Sequence, residues 1–120
     1  MKIKIVTLPY NVQGKGRGGA SGPGALLHTG LLESLAKQGH QVAEPTAIAL
    51  TADEDSQYGG WNRVALANSH LCDAVSLIMQ EEASFVLGLL ADCNGVLGVL
   101  GGMQKGDHPL RPRRVGLVYV

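Results

Sequence analysis

Apolar residues fall into separate blocks along the first half of the chain. Residues 3–8 (IKIVTL) are β-branched and aliphatic, so they predict a first strand, which Pro9 ends. Leucines then recur at helical spacing and predict a helix from Pro23 to Gly39. A short strand is predicted at residues 41–43, and a further extended piece at residues 47–50.

The second half of the chain continues this alternation. Residues 51–60 are acidic and polar and predict a loop, whereas an apolar stripe from residue 61 to about 82 predicts a long helix. Residues 85–91 predict a third strand and residues 115–120 (VGLVYV) a fourth. Between them, residues 94–103 predict a short helix rich in Gly, Val and Leu. Because glycine weakens a helix, this helix is expected to pack closely against the sheet.

The order of elements predicts one α/β domain over residues 1–120 with a parallel sheet and right-handed crossovers. The chain stops at the end of an apolar strand of the kind that is normally central. We therefore expect a fold that is incomplete at its C-terminus: a piece of a longer domain, or a domain completed by a partner chain. The low charged fraction of 17% points the same way, and it predicts a homo-oligomer or a completing chain segment as partner.

Charge and hydropathy argue against two classes of protein, those that bind nucleic acids and those that span a membrane. Ten basic and ten acidic residues give no net charge, which speaks against a nucleic-acid partner. No apolar run reaches the roughly 18 residues that a membrane helix needs, and the chain begins directly with a strand-like run. The two cysteines, Cys72 and Cys93, do not form a CxxC pair. A cytoplasmic protein with reduced thiols is expected.

A glycine-rich loop follows the first strand. Gly14-Lys15-Gly16-Arg17-Gly18-Gly19 matches G-x-G-x-x-G, and Glu44 lies where a ribose-binding acid would be expected. In the dinucleotide fingerprint, however, the first glycine directly follows the strand and the helix opens within the motif, whereas here Pro23 starts the helix later. The alternative is a flexible loop at the carboxyl edge of the sheet.

A polar turn, Asp92-Cys93-Asn94, follows the third predicted strand and precedes the glycine-rich helix. Open α/β sheets bind ligands outside the carboxyl ends of their strands, so this turn is the candidate site. A thiol at a helix N-terminus is a candidate nucleophile if a base lies within reach. The alternative is a small thiol that packs at a tight turn.

Several blocks resemble the ureohydrolase family (arginase, agmatinase and formiminoglutamase). Residues 22–35 (GPGALLHTGLLESL), followed by GHQV at 39–42, look like the family's first helix and the strand after it. Residues 85–94 fall where that family has a strand ending in Gly-Gly-Asp-His-Ser. Residues 115–120 resemble the strand that the family continues into Asp-Ala-His-x-Asp. The resemblance implies a three-layer α/β/α fold with a parallel sheet.

The resemblance also implies a chemistry, the hydrolysis of guanidino or formimino C–N bonds by a manganese pair that activates a bridging hydroxide. Asp92 matches the Asp of the family's first metal-binding turn, whereas Cys93 stands at the His ligand and Asn94 at the Ser. A thiolate suits zinc or softer metals better than manganese. No cofactor is therefore assigned to this chain as it stands, although manganese is expected for the intact family.

Three functions stay open at this point. The first is a ureohydrolase-like hydrolase of linear amidines that needs sequence beyond residue 120 and is inactive alone. The second is a non-catalytic interaction or regulatory module on the same fold. The third is a small Rossmann-like nucleotide binder that uses the glycine loop. The candidate substrate-loop residues are Gly14, Lys15, Gly16 and Arg17, and the candidate metal position is Cys93 with its neighbour Asp92.

Overall fold

The computed structural model describes residues 1–57, 59–81, 84–106 and 115–118. Its strands, in chain order, are β1 (Lys2–Leu8), β2 (Tyr10–Asn11), β3 (Gly14–Lys15), β4 (Gln41–Val42), β5 (Thr46–Ala47) and β6 (Ser84–Leu90). Its α-helices are α1 (Gly22–Leu27), α2 (Leu31–Lys37), α3 (Ala52–Ser56), α4 (Gly60–Met79) and α5 (Gly95–Lys105), with a 3₁₀ helix at Gly18–Ser21.

Strand β1 is the centre of the main sheet. It pairs in parallel with β6 along its whole length, from Lys2 opposite Ser84 to Leu8 opposite Leu90. Its other edge pairs in parallel first with β4 and then with β5. All the strands of this sheet therefore run in the same direction, as the alternation of strands and helices predicted.

The two faces of β1 contribute to two apolar clusters. Ile3 and Ile5 point to one face, where Leu89 of β6 and leucines of α1 and α2 surround them. Val6 and Leu8 point to the opposite face, where they pack with buried residues of α4. Since successive side chains of a strand alternate between its faces, the sheet is covered on both sides. The predicted three-layer α/β/α arrangement is confirmed.

Two stretches differ from the sequence-based expectation. The helix expected from Pro23 to Gly39 is two helices, because Gly30 adopts a left-handed backbone conformation with φ of +80°. The loop expected at 51–60 contains α3. Its start is fixed by a capping box, in which Thr51 and Glu54 each accept a hydrogen bond from the other's backbone N–H.

The fourth strand is not formed in residues 115–118, which have neither strand nor helix structure. Leu117 and Val118 are 57% and 87% exposed, and among the described residues no strand pairs with this segment. Residues 119 and 120 of the predicted strand lie outside the described part of the chain.

The glycines of α5 pack mainly against α4 rather than against the sheet. A Cβ atom added at Gly102 would lie 2.6 Å from both the carbonyl oxygen of Cys72 and the Cβ of Val75. Gly98 and Gly106 are similarly close to the backbone of α4. The glycines therefore allow two helix backbones to approach each other, which corrects the expected partner of this helix.

None of the helices in the described ranges combines the length and the apolar character needed to cross a membrane.

Candidate functional site

The turn after β6 is held by backbone hydrogen bonds and by one carboxylate. The N–H of Ala91 donates to the carbonyl oxygen of Leu8 over 3.1 Å, which continues the pairing of β6 with β1. Oδ1 of Asp92 accepts the N–H of Asn94 over 2.9 Å. This carboxylate therefore closes the turn that carries Cys93.

Helix α5 begins directly on the end of the sheet. A Cβ atom added at Gly95, its first residue, would lie 3.1 Å from side-chain carbons of Leu8 and Leu90. Gly95 itself is buried. The glycine thus lets the helix start within one turn of the strand, and it fixes Cys93 between the two elements.

The thiol of Cys93 is exposed at this turn, whereas Cys72 is half-buried on α4. The Cys93 side chain is exposed to solvent. It is therefore not buried as a thiol that only packs at a tight turn would be. Among the described residues, no group of three or more His, Cys, Asp or Glu side chains is placed to hold a metal ion. The turn thus offers one exposed thiol and one carboxylate that is already engaged by a backbone N–H.

The glycine loop folds as a small hairpin at the same edge of the sheet. After β1, strands β2 and β3 pair antiparallel, and the N–H of Gly16 donates a hydrogen bond to the carbonyl oxygen of Pro9 over 2.9 Å. The buried Asn11 side chain accepts the N–H of Gln13 over 2.9 Å and donates to the carbonyl oxygen of Arg17 over 3.0 Å. One buried amide thus orders a loop that is otherwise exposed.

The 3₁₀ helix that follows the hairpin meets the turn at Gly19. A Cβ atom added there would lie 3.0 Å from the carbonyl oxygen of Ala91. The structure therefore brings the loop that carries Lys15 and Arg17 to the same edge as the turn that carries Cys93. Both basic residues are exposed.

The loop does not have the geometry of a dinucleotide fingerprint. Gly14 and Lys15 form a strand of the hairpin, and a 3₁₀ helix occupies Gly18–Ser21 before α1 starts at Gly22. In the fingerprint the glycines lead directly from a strand into a long helix, whose N-terminus meets the pyrophosphate. Here α1 has only six residues, so the G-x-G-x-x-G match does not build that site.

Two residues to which the sequence analysis gave no role position this edge. The hydroxyl of Tyr10, which is 3% exposed, accepts the N–H of Leu50 over 3.0 Å. On α4, Oδ1 of Asn68 accepts the N–H of Gly98 over 2.9 Å. Their partners lie 40 and 30 positions away along the chain, so no local signal marks them.

A central parallel sheet with helices on both faces, and a polar turn at its carboxyl edge, define a three-layer α/β/α protein. The structure is similar to arginase from Bacillus subtilis, with a TM-score of 0.69 and 26% sequence identity over 88% of this chain. A second arginase structure, from Bacillus subtilis subsp. subtilis str. 168, matches with a TM-score of 0.70 and 28% identity over 87% of the chain.

The match covers 35% of each arginase chain, so this chain spans about a third of their length. No protein-family model and no curated protein sequence matches it. The chain thus has part of the ureohydrolase fold, which confirms the resemblance found in the sequence.

The residues at the turn do not fit a manganese pair. Manganese prefers carboxylate, carbonyl, water and imidazole ligands, and a pair of ions needs several of them. The turn presents the carboxylate of Asp92, one oxygen of which accepts a backbone hydrogen bond, and the thiol of Cys93. A thiol in this position favours a softer metal or no metal at all.

Proposed function

We propose that this chain is a ureohydrolase-like α/β domain that does not hydrolyse guanidino or formimino compounds by itself. The observation that carries this proposal is the composition of the turn after β6, where Cys93 stands beside an already engaged Asp92. Activity of the ureohydrolase kind would need metal ligands contributed by further polypeptide.

The likeness to arginase supports the first half of the proposal. The match covers 87–88% of this chain, and its identity is 26–28%. The polar turn lies outside the carboxyl end of β6, where sheets of this kind bind ligands. The exposed Lys15 and Arg17 of the neighbouring loop are the groups we assign to contacts with an anionic part of a ligand.

The chemistry of the ligands supports the second half. A water molecule becomes a strong nucleophile at neutral pH when a metal lowers its pKa, and this requires a stable set of ligands. Among the described residues the turn has no third ligating side chain beside it. We therefore expect the isolated chain neither to retain manganese nor to turn over linear amidines.

A hydrolysis assay with metal analysis tests this proposal. The purified chain is incubated with Mn²⁺ and, in separate reactions, with L-arginine, agmatine and formiminoglutamate, and released urea and ammonia are measured. We expect rates equal to those without protein and no manganese retained after desalting. Turnover that is lost in Cys93→Ser but kept in Cys72→Ser would overturn the proposal, because it would place a working site at the turn.

We also propose that further polypeptide covers an apolar cleft beside β6. A cleft of about 340 Å³ lies between β6, α5 and residues 116–118, and its walls include Leu90, Val99, Leu100 and Met103. In the described part of the chain, β6 pairs with a strand on one side only. Since the match covers only 35% of the arginase chain, we propose that further polypeptide, of the kind that makes up the rest of that chain, pairs as a strand with this edge.

Sedimentation velocity of the chain alone distinguishes the possible occupants. The proposed occupant is absent from that sample, so we expect an exposed apolar surface that binds a hydrophobic dye and associates without a fixed stoichiometry. A single dimeric species would show that a second copy covers the cleft. A stable monomer without dye binding would show that the chain covers it itself.

A further inference from the structure

The segment of residues 50–57, called the strap below, is tied to the rest of the fold at both ends. At its start, the N–H of Leu50 donates to the buried hydroxyl of Tyr10 over 3.0 Å. At its end, the carbonyl oxygen of Gln57 accepts a hydrogen bond from Nη1 of Arg63 over 3.0 Å. Between these points the strap forms α3, which lies beside α4.

A histidine on α4 makes the central attachment. Nε2 of His70 lies 2.9 Å from both carboxylate oxygens of Glu54. The His70 side chain is 40% exposed and that of Glu54 is 22% exposed, so the pair is partly shielded from solvent. This contact joins the middle of the strap to the long helix.

The carboxylate of Glu54 is fixed before it meets His70. Its Oε2 accepts the N–H of Thr51 over 2.9 Å, and its own N–H donates to Oγ1 of Thr51 over 3.2 Å. The hydrogen bond from the Thr51 backbone, followed by that from His70, holds the pKa of Glu54 below its ordinary value. These hydrogen bonds favour the ionised form of Glu54, which is the acceptor of the His70 contact.

The other charges near His70 come from its own helix and from α5. Asp73 lies one helical turn further along α4 and interacts electrostatically with His70. Its carboxylate is paired with Lys105 of α5 at 2.5 Å. Among the described residues, His70 thus interacts with the carboxylates of Glu54 and Asp73, and the second of these is paired with the Lys105 ammonium.

We propose that protonation of His70 fastens the strap to α4, so that the strap is held more tightly in mildly acidic than in alkaline solution. Histidine side chains ordinarily gain their charge below about pH 6.5. A hydrogen bond between an imidazolium and a carboxylate is stronger than one from a neutral imidazole. Because this pair is partly exposed, the expected change in the opening equilibrium of the strap is about two- to fivefold.

Amide hydrogen exchange of the full chain at pH 5.5 and pH 8.0 tests this proposal. After correction for the intrinsic exchange rates, the protection of amides 52–57 is expected to fall about two- to fivefold at the higher pH. In His70→Gln, whose amide still donates a hydrogen bond but carries no charge, this difference disappears. Amides of β1 serve as the reference for the folded state.

His28→Gln is the matched control. His28 is an exposed histidine on the other side of the sheet, where its Nδ1 lies 2.6 Å from the carbonyl oxygen of Gly24. This variant is expected to keep the wild-type pH difference. Glu54→Gln is a second variant, which removes the negative charge of the pair. The pH difference in strap protection should disappear in this variant as well. The proposal is overturned if the wild-type strap shows no pH difference, or if His70→Gln and Glu54→Gln keep it.

Discussion

The side chain of Asn68 on α4 holds the backbone of Gly98 in the first turn of α5. Its Oδ1 accepts the Gly98 N–H over 2.9 Å, and its Nδ2 donates to the carbonyl oxygen of Val64 one turn earlier. A single amide therefore links the two helices that cover one face of the sheet. Helix α5 in turn carries the candidate turn at its N-terminus, so this link positions Cys93 indirectly.

Replacing Asn68 by Ala is expected to destabilise the fold by about 1–3 kcal/mol, because it removes the partner of a partly buried N–H. Urea unfolding followed by circular dichroism measures this change. Asn62→Ala on the same helix is the control. Its side chain makes an exposed hydrogen bond to Gln57, and surface changes of this kind stay within about 0.5 kcal/mol. An equal loss of unfolding free energy in both variants would mean that the Asn68 contact does not stabilise the fold more than an exposed hydrogen bond does.

Replacing Gly102 by Ala is expected to push α4 and α5 apart. The new Cβ would lie 2.6 Å from backbone and side-chain atoms of α4, and overpacking of this kind costs about 1–3 kcal/mol. Gly24→Ala is the matched control, because Gly24 is also helical but has no atom within 4 Å of an added Cβ. That change should be neutral or stabilise the fold by up to about 1 kcal/mol. Thermal unfolding of both variants measures these changes. A Gly102→Ala protein as stable as the wild type would contradict the close packing of α5 against α4.

The two thiols are expected to react with Ellman's reagent at different rates. Cys93 is exposed and Cys72 is half-buried between α4 and α5. Because access limits the reaction of a buried thiol, we expect one thiol to react at least about tenfold faster. Cys93→Ser should remove the fast phase and Cys72→Ser should leave it. A fast phase that persists in Cys93→Ser would show that the turn is covered in solution.

The ion pairs of Glu81 are expected to make part of the stability depend on acid pH. Hydrogen bonds from Lys2, at 2.7 Å, and then from Lys4, at 3.3 Å, lower the pKa of Glu81 from its ordinary value of 4.5. A carboxyl with a lowered pKa in the folded state stabilises the fold above the pKa of the unfolded chain. This contribution is lost as the pH falls through the lower, folded value.

Melting temperatures of the wild-type protein and Glu81→Gln therefore should differ at pH 6 and converge as the pH approaches 3. Glu44→Gln, a change at an exposed residue after β4, is the control and is expected to shift the melting temperature less at pH 6. A difference between the wild-type protein and Glu81→Gln that stays constant down to pH 3 would exclude the ion pairs as its cause.

Local patterns were enough to predict an α/β domain with a parallel sheet, whereas its three layers were expected from the resemblance to the ureohydrolase family. The β-branched run in β1 is typical of a strand covered on both faces, and the leucine spacing predicted the helical character of α1 and α2. The Thr51–Glu54 capping box was also present in the sequence, but the acidic composition around it favoured a loop. Gly30 has a left-handed conformation that composition alone does not reveal.

The candidate site was predictable only in part. The order of strand, polar turn and helix placed Asp92 and Cys93 at the carboxyl edge correctly. The contact of Gly19 with Ala91 and the close approach of α5 to α4 depend on residues that are distant in sequence. The glycines of α5 predicted a close neighbour. Their spacing and number did not show whether that neighbour would be a helix or the sheet.

The pairing of β1 with β6 has a consequence for synthesis on the ribosome. Among the described strands of the main sheet, β1 is synthesised before its partners, and its longest neighbour begins only at Ser84. Until β6 emerges, one whole edge of this largely buried strand lacks its native partner. Contacts this distant in sequence form slowly, and exposed strand edges pair readily with other chains. The nascent polypeptide therefore exposes an unpaired strand edge until β6 has been synthesised.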